Sequence, residues 1–447
     1  MSDAGGFANI NVDFIKYKSY IYLCITWQYD TNAMIKRKLS TWILDALQGF
    51  PVVYVNGPRQ AGKSTLVQSL AAKEWPADYV TFDDATMLGA AEANPESFLR
   101  AYEGKLILDE AQMAPGLFQA LKVLADEARR ENKVSANGRY LLTGSANIMA
   151  LPKLSDALVG RMSVLTLYPL SALEISQGKG DFLARLVGND FKPGTIKRKL
   201  GVGAIIRQAT FPEITDQADS RRRQWFEAYI TTILQRDVRQ IADIAKLGIL
   251  PNLLKVLAAR AGGLINEADI ARAIGQNAVT TKNYRILLQM MFLAFDVKPW
   301  FRNIGKRLVK APKGYLIDTS LLCHLQQIDI TKAEFNDPHV FGHLFENFVA
   351  TELLKQLSSL DISAQLHHFR TSDNKEVNFV LEQPDGRLAG IEVKSRDAVT
   401  AADFRGLEEL HKQIGNDFAC GIVLYRGSKL IPFGDKLWAV PVDVMWA

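Results

Sequence analysis

Cysteine is scarce in this chain of 447 residues: Cys24, Cys323 and Cys420 are the three, and they lie far apart. Thiols so placed build neither a disulfide framework nor a metal site of short ligand spacing, which makes a reducing cytoplasm the expected setting. Long apolar runs are lacking as well. Residues 20–27 are the one stretch resembling a targeting segment; they are broken by Thr26, preceded by Lys16 and Lys18, and followed by no small-residue cleavage site. That stretch falls far short of the ~20 residues of a membrane-spanning helix, so no membrane contact is expected. Tracts of proline, serine or glutamine are missing, which argues against long disorder, and no internal repeat is visible. A large charge of one sign is missing too. Fifty-three lysines and arginines (53) against 48 aspartates and glutamates leave +5, a mildly basic balance that permits nucleic-acid contact without requiring it.

What is present is the composition of a folded protein, 48% hydrophobic and 23% charged, long enough for two or three cores. Helical spacing over 35–47 leads into an apolar strand at 52–55. Further buried-strand candidates stand at 79–82, 105–108, 139–142 and 164–167, with helix-like stretches between them. That alternation predicts an α/β fold with a parallel sheet and helices on both faces. The alternation is lost after residue 170, and 221–245 reads as a long charged helix. Three helix-like runs at 253–261, 267–274 and 279–291, then hairpin strands at 295–297 and 306–317, make the pattern of a winged helix. A helix at 341–357 precedes short strands at 367–369, 376–381, 388–393 and 419–424, a separate small α/β domain. The expected division is 1–33 as an N-terminal extension outside the fold argument, 34–203 as the first domain, 204–250 as a helical linker or lid, 251–335 as the winged helix, and 336–447 as the last domain.

The sharpest motif is Gly57-Pro58-Arg59-Gln60-Ala61-Gly62-Lys63-Ser64, which matches GxxxxGK[ST] between an apolar strand and a helix that continues with Thr65. In such a loop, backbone N–H groups surround the phosphates of ATP, Lys63 neutralises the terminal ones, and Ser64 is a ligand to Mg²⁺. Leu106-Ile107-Leu108 then place Asp109 at the carboxyl end of a strand, where it holds the Mg²⁺ shell. Glu110 follows in position to orient or deprotonate the attacking water. The strand at 139–142 ends in Thr143, Gly144, Ser145, Ala146 and Asn147. From there Thr143 or Ser145, with Asn147 a lesser candidate, reaches the γ-phosphate or its water; ordinary turn chemistry is the alternative. Arg161, in a turn before the last strand, reads either as a surface arginine or as a finger that reaches a neighbouring subunit's γ-phosphate.

The phosphate loop, the run ending in Asp109 and Glu110, the 141–147 strand tip, the turn at Leu158 to Arg161, and Tyr168-Pro169-Leu170-Ser171 with Glu174 resemble the AAA+ ATPases of bacteria and archaea that carry a C-terminal domain of unknown function. Tyr229-Ile230, Gln235-Arg236-Asp237-Val238, Lys310-Ala311-Pro312-Lys313, Ile317-Asp318 and Phe345-Glu346-Asn347 extend the resemblance over roughly residues 34–447. It implies an AAA+ fold; the phosphate loop with Asp109 and Glu110 makes ATP and Mg²⁺ the expected ligands and ATP hydrolysis the expected reaction, and the finger reading of Arg161 expects a homo-oligomeric ring or dimer.

Farther along, Glu376-Val377-Asn378-Phe379 and Ile391-Glu392-Val393-Lys394 resemble the core of PD-(D/E)xK nucleases, with Glu346 on the preceding helix able to complete a metal site. Asn378 stands where that pattern has Asp and is a much weaker Mg²⁺ ligand. Glu376, expected on the same strand face two residues earlier, offers partial compensation. A degenerate nuclease-like fold without cleavage is the expectation. For function two readings stand. Thr280, Thr281, Lys282, Asn283 and Arg285, with Lys306, Arg307, Lys310 and Lys313 on the wing, suit phosphate contacts and an ATP-driven DNA remodeller. The alternative is a nucleotide-controlled switch that assembles with protein partners.

Overall fold

The computed structural model describes residues 35–130, 137–145, 160–198, 200–237, 247–303, 305, 307 and 310–447. Five strands build the first sheet: β1 (Val52–Asn56), β2 (Asp78–Thr81), β3 (Leu106–Asp109), β4 (Tyr140–Gly144) and β5 (Met162–Thr166). Their order is β2-β3-β4-β1-β5, and every pairing is parallel. Strand alternation divides their side chains between two cores. Val52, Tyr54, Leu106, Leu108, Tyr140 and Leu142 pack with Leu117, Phe118 and Leu121 of helix Gly116–Arg130. Val53, Val55, Ile107 and Leu141 pack the other way, against Ile43 and Leu47 of helix Leu39–Gly49 and Leu66, Val67 and Leu70 of helix Lys63–Lys73. The expected helices on both faces follow from this pattern. In sequence the strand β2 separates the phosphate loop from Asp109; in space it is β4 that lies between β1 and β3.

The second sheet has nine strands: β6 (Gly194–Thr195), β7 (Ala294–Pro299), β8 (Lys313–Leu316), β9 (Gln365–Arg370), β10 (Glu376–Glu382), β11 (Leu388–Lys394), β12 (Phe418–Tyr425), β13 (Lys429–Gly434) and β14 (Leu437–Pro441). Their order is β6-β13-β14-β12-β11-β10-β9-β7-β8. Of these, β6, β13 and β14 were not legible in the sequence. Three helices, Leu250–Ala259, Glu267–Ile274 and Ala278–Met290, precede the antiparallel pair β7/β8, in which Ala294 faces Leu316 and Val297 faces Lys313. The second hairpin strand thus begins at Lys313, later than the expected 306. The strands of the expected last domain continue into the preceding hairpin through the pairing of β7 with β9, Lys298 opposite His367 and Pro299 opposite His368. One sheet and one apolar core, running from Ala172 to Trp446, join the two segments. Of the expected long charged helix, Asp219–Thr232 is helical and Ile233–Asp237 continues as a π turn; residues 238–245 lie outside the described residues.

Helix Pro338–Ser359 threads this core. Its start is dictated locally: the Asp337 side chain accepts from Val340 N at 3.0 Å, and Pro338 takes the first-turn position where its missing N–H costs nothing. Phe341, Phe345 and Phe348 are buried on it. The opposite sheet face is covered by helix Arg405–Ile414, where Gly406 lets the helix reach β10, since a Cβ there would overlap the Glu376 carbonyl. Among the described residues no helix is long and apolar enough to cross a membrane. Phe345→Ala is expected to destabilise the chain by about 3–5 kcal/mol in urea unfolding, because it empties a fully buried ring site between helix and sheet. A loss below about 1 kcal/mol would contradict that packing.

Candidate nucleotide site

The phosphate loop leaves β1 at Gly57, whose φ of +147° and close approach to Leu167 admit glycine alone: a Cβ would overlap the Leu167 carbonyl oxygen. Gly62, at φ +93°, caps helix Lys63–Lys73. Pro58 and Ala61 are buried, Arg59 is half-buried, and Gln60 and Thr65 face outward. Lys63 is buried, and its ammonium donates to Gly57 O at 3.1 Å and Pro58 O at 2.9 Å. These carbonyls meet the requirement that a buried charge be partnered.

Asp109, 3% exposed, gathers the tips of three elements. Its Oδ1 accepts from Ser64 Oγ at 3.1 Å and from Thr143 Oγ1, and its Oδ2 accepts from Tyr79 Oη at 2.6 Å. Burial first, and then the Asp109 carboxylate, push the Tyr79 phenol well above its ordinary value, so it remains a donor. Glu110 takes the left-handed conformation, φ 57°, and its N–H donates to Thr143 Oγ1 at 3.2 Å. Its carboxylate accepts from Gln112 Nε2 at 2.5 Å, and the same amide donates to Ser145 Oγ at 3.2 Å. Ser64, Asp109, Glu110, Thr143 and Ser145 are therefore brought together at the carboxyl ends of β3 and β4. The adjacent hydroxyl of Ser64 and carboxylate of Asp109 are a hard-oxygen pair of the kind Mg²⁺ takes, so the residues present fit that ion. Sequence reasoning missed Tyr79 and Gln112. Gln112 stands two places after Glu110, a spacing that carries no motif by itself.

Arg161 lies apart from this cluster. It grips Asp126 of its own chain, Nε to Oδ1 at 2.6 Å and Nη2 to Oδ2 at 3.0 Å, both side chains being 26% exposed. Asn147, Leu158 and Val159 lie outside the described residues.

Several expected DNA contacts are corrected. Arg285 is buried and bonds Glu267 at 2.7 Å and Asp296 at 2.6 Å. Arg307 bonds both carboxylate oxygens of Glu382, at 2.5 and 2.9 Å, and lies over the Trp300 ring. Lys313, 3% exposed, bonds Glu346 at 3.0 Å and also Glu376. Each of these cations is turned inward because a carboxylate distant in sequence is packed against it. Thr281 is buried as well, whereas Lys282, Asn283 and Lys310 face solvent. Lys306 lies outside the described residues.

The same Lys313 engages residues that were expected to form a nuclease-like metal site. Burial alone would pull its ammonium down, but Glu346 and Glu376 together hold it above its ordinary value. Tyr315 Oη also donates to Glu346, at 2.8 Å. The two carboxylates expected to complete a metal site are thus both engaged by one internal ammonium. Asn378 is equally occupied: Val393 N donates to its Oδ1 at 2.9 Å, and its own N donates to Glu392 Oε2 at 3.2 Å. The pleat breaks here. Val377 and Phe379, two residues apart, enter opposite cores, and the β9–β10 register shifts between Val377 and Val380. The simple alternation expected of 376 and 378 does not hold. Among the described residues no group of three or more histidine, cysteine or acidic side chains is arranged to hold a metal ion.

Burial pushes Glu392 up to about 7, against the pull of Lys394 at 2.7 Å. Its folded-state value exceeds the unfolded one, so the folded chain holds the extra proton between about pH 4.5 and 7, and stability falls as pH rises through that window. Glu392→Gln removes this cost. The variant is expected to gain on the wild type between pH 4.5 and 8 by at most about 3 kcal/mol in urea unfolding; a difference independent of pH would contradict the assignment.

Residues 49–176 match the family described as the AAA domain. Residues 205–332 and 341–445 match two domains of unknown function, DUF8612 and DUF4143. An uncharacterized protein of Mycobacterium tuberculosis is 30% identical over 415 residues, covering 91% of this chain and 84% of that protein, and one of Mycobacterium bovis matches to the same extent. An uncharacterized protein of Haemophilus influenzae is 24% identical over 359 residues, 74% of this chain and 79% of its own. Of solved structures, the Walker-type ATPase of Pyrococcus abyssi is 13% identical with a TM-score of 0.41, covering 66% of this chain and 97% of that one. That superposition is too loose to say anything of function. With its phosphate loop, its Asp109 and Glu110, and its match to the mycobacterial proteins along nearly their whole length, the chain belongs to their family and carries an AAA-type P-loop ATPase domain followed by two domains of unknown function.

Proposed function

We propose that this chain binds and hydrolyses ATP and uses the cycle as a nucleotide-controlled switch rather than as a DNA motor. The carrying observation is the convergence of Ser64, Asp109, Glu110 and Thr143 beside the phosphate loop. Loop amides from Gly57 to Ser64 and the Lys63 ammonium bind the phosphates. Ser64 and Asp109 would hold Mg²⁺, which would neutralise negative charge on the phosphates. Glu110 accepts the proton of the attacking water, and the Gln112 amide fixes the direction of its carboxylate. Ser145, bonded to the same amide, stands where it can orient that water.

The inward turn of Arg285, Arg307 and Lys313 weakens the DNA reading, which among the described residues now rests on the outward-facing Lys282, Asn283 and Lys310. The winged-helix arrangement of residues 250–316 then serves protein docking. In the C-terminal part, a nuclease-like fold stripped of its metal ligands serves as a scaffold. Assembly into a ring or dimer would bring Arg161 to a neighbouring subunit, once it leaves Asp126.

Three measurements test this. Lys63→Ala should abolish binding of a fluorescent ATP analogue, whereas Glu110→Gln should bind it normally and lose about 100-fold or more in turnover; native turnover by Glu110→Gln would remove it as the base. ATPase rates should be indifferent to single-stranded, duplex and branched DNA, and a several-fold rise would return the motor reading. Finally, Arg161→Ala should lower turnover more than ATP affinity and gain activity on mixing with Glu110→Gln subunits, while a strictly monomeric, fully active chain would end the finger proposal.

A further inference from the structure

The phosphate chemistry leaves unused a set of ionisable side chains buried between the loop and the C-terminal core. Arg37, 9% exposed, donates from Nη1 to Ala61 O in the phosphate loop at 2.7 Å, from Nη2 to Tyr168 O at 2.5 Å, and from Nε to Glu174 Oε1 at 3.0 Å. Glu174 is tied in turn to the Ser171 capping box, accepting from Ser171 N at 3.0 Å. Burial opposes its charge, but Arg37 and the N–H donors hold its carboxyl below the ordinary range, so the pair is ionised. One residue on, Ala172 N donates to Glu352 Oε2 at 2.9 Å. Lys355 donates to Glu352 Oε1 at 3.1 Å and to Leu170 O at 2.9 Å. Glu352 and Lys355 lie on helix Pro338–Ser359, are 0% and 4% exposed, and come from the other end of the sequence.

The short segment from Tyr168 to Glu174 is thus gripped on one side by Arg37, whose other hand is on the phosphate loop, and on the other by Glu352 and Lys355. It follows β5 directly, and Leu167 N donates to Asn56 O at the strand end from which the loop departs. Buried charges of this kind do not slide. Each has discrete partners and no water to substitute for them, so a shift of one partner is passed on or resisted as a unit. A turn of the Ala61 carbonyl on phosphate binding would move the guanidinium bonded to it, and the guanidinium holds the segment that Glu352 holds.

We propose that Arg37 is a positioning residue for the phosphate loop, and that the buried path Ala61–Arg37–Glu174–Ser171–Ala172–Glu352 couples nucleotide occupancy to helix Pro338–Ser359. The proposal rests on the ATP-binding reading above. It gives the C-terminal half a defined connection to the nucleotide: the helix that ends the path also carries Glu346, which anchors Lys313.

The test is hydrogen exchange on the full chain with and without saturating Mg²⁺·ADP, alongside binding of a fluorescent ADP analogue. Ligand binding slows exchange everywhere through global stability, so helix Arg405–Ile414 on the far face of the sheet serves as internal control. Amides of 338–359 should slow by about fivefold or more beyond those of 405–414. In Glu352→Gln that excess should vanish while ADP still binds, and in Arg37→Lys, which keeps the charge but loses the fork, ADP affinity should fall by about fivefold or more. Equal slowing of both helices in the wild type overturns the coupling and leaves the nucleotide site standing, an arm that needs no variant to fold. An excess that survives in well-folded Glu352→Gln overturns the path. Failure of the wild type to bind the ADP analogue overturns the ATP reading and the coupling together.

Discussion

A single buried carboxylate organises the nucleotide end of this protein. Asp109 accepts from Ser64 at the start of the loop helix, from Thr143 at the tip of β4, and from Tyr79 on β2. A carboxylate in that position is tolerated only because donors surround it, and β3 has Tyr79 and Thr143 beside Asp109 because β2 and β4 are its two neighbours. The strand order therefore sets the chemistry. It aligns the ends of β3 and β4, places Glu110 against Thr143, and leaves the Gln112 amide between Glu110 and Ser145. The left-handed backbone at Glu110 is part of the same arrangement, a conformation that a non-glycine residue adopts when its surroundings require it.

Beyond the first sheet, buried ion pairs rather than surface ones define the architecture. Arg37 with Glu174, Lys313 with Glu346 and Glu376, and Arg285 with Glu267 and Asp296 each join different elements, and the Glu352–Lys355 pair within one helix reaches Ala172 N and Leu170 O. Desolvation consumes most of what such pairs gain, so their contribution lies in excluding alternatives more than in net stability. Losing one partner would strand a charge, which makes these positions intolerant of change. In the C-terminal region this has a chemical consequence. An ammonium sits between two carboxylates, and the amide oxygen of Asn378 is taken by Val393 N, so the groups that a metal-dependent nuclease would direct at an ion are directed at the protein itself.

The sequence carried the nucleotide site unequally. Gly57, Lys63, Ser64, Asp109 and Glu110 were legible because their roles depend on local backbone geometry next to a strand, and local pattern is what a sequence displays. Tyr79 and Arg37 were not, because they act through contacts across the sheet or with segments far along the chain. The same limitation explains the misread cations. Arg285, Lys313 and Arg307 sit in polar stretches that look solvated, and their carboxylate partners lie 18, 33 and 75 residues away. The five parallel strands were visible as apolar runs, whereas the short run of β13, Leu430 to Phe433, is interrupted by Pro432, a residue that argues against a strand inside a sheet. The joining of β7 to β9 depends on a pairing of two residues that no periodicity marks.

The central claim is that the Ser64 and Asp109 pair serves Mg²⁺-dependent ATP hydrolysis. Release of inorganic phosphate from ATP by the full chain, followed as Mg²⁺ is titrated, tests it most directly when Asp109→Asn is run beside the wild type. The account predicts turnover that saturates with Mg²⁺ in the wild type and a loss of about 100-fold or more in Asp109→Asn at equal ATP occupancy. No phosphate release by the wild type, or release by Asp109→Asn at the native rate with unchanged Mg²⁺ dependence, would contradict it.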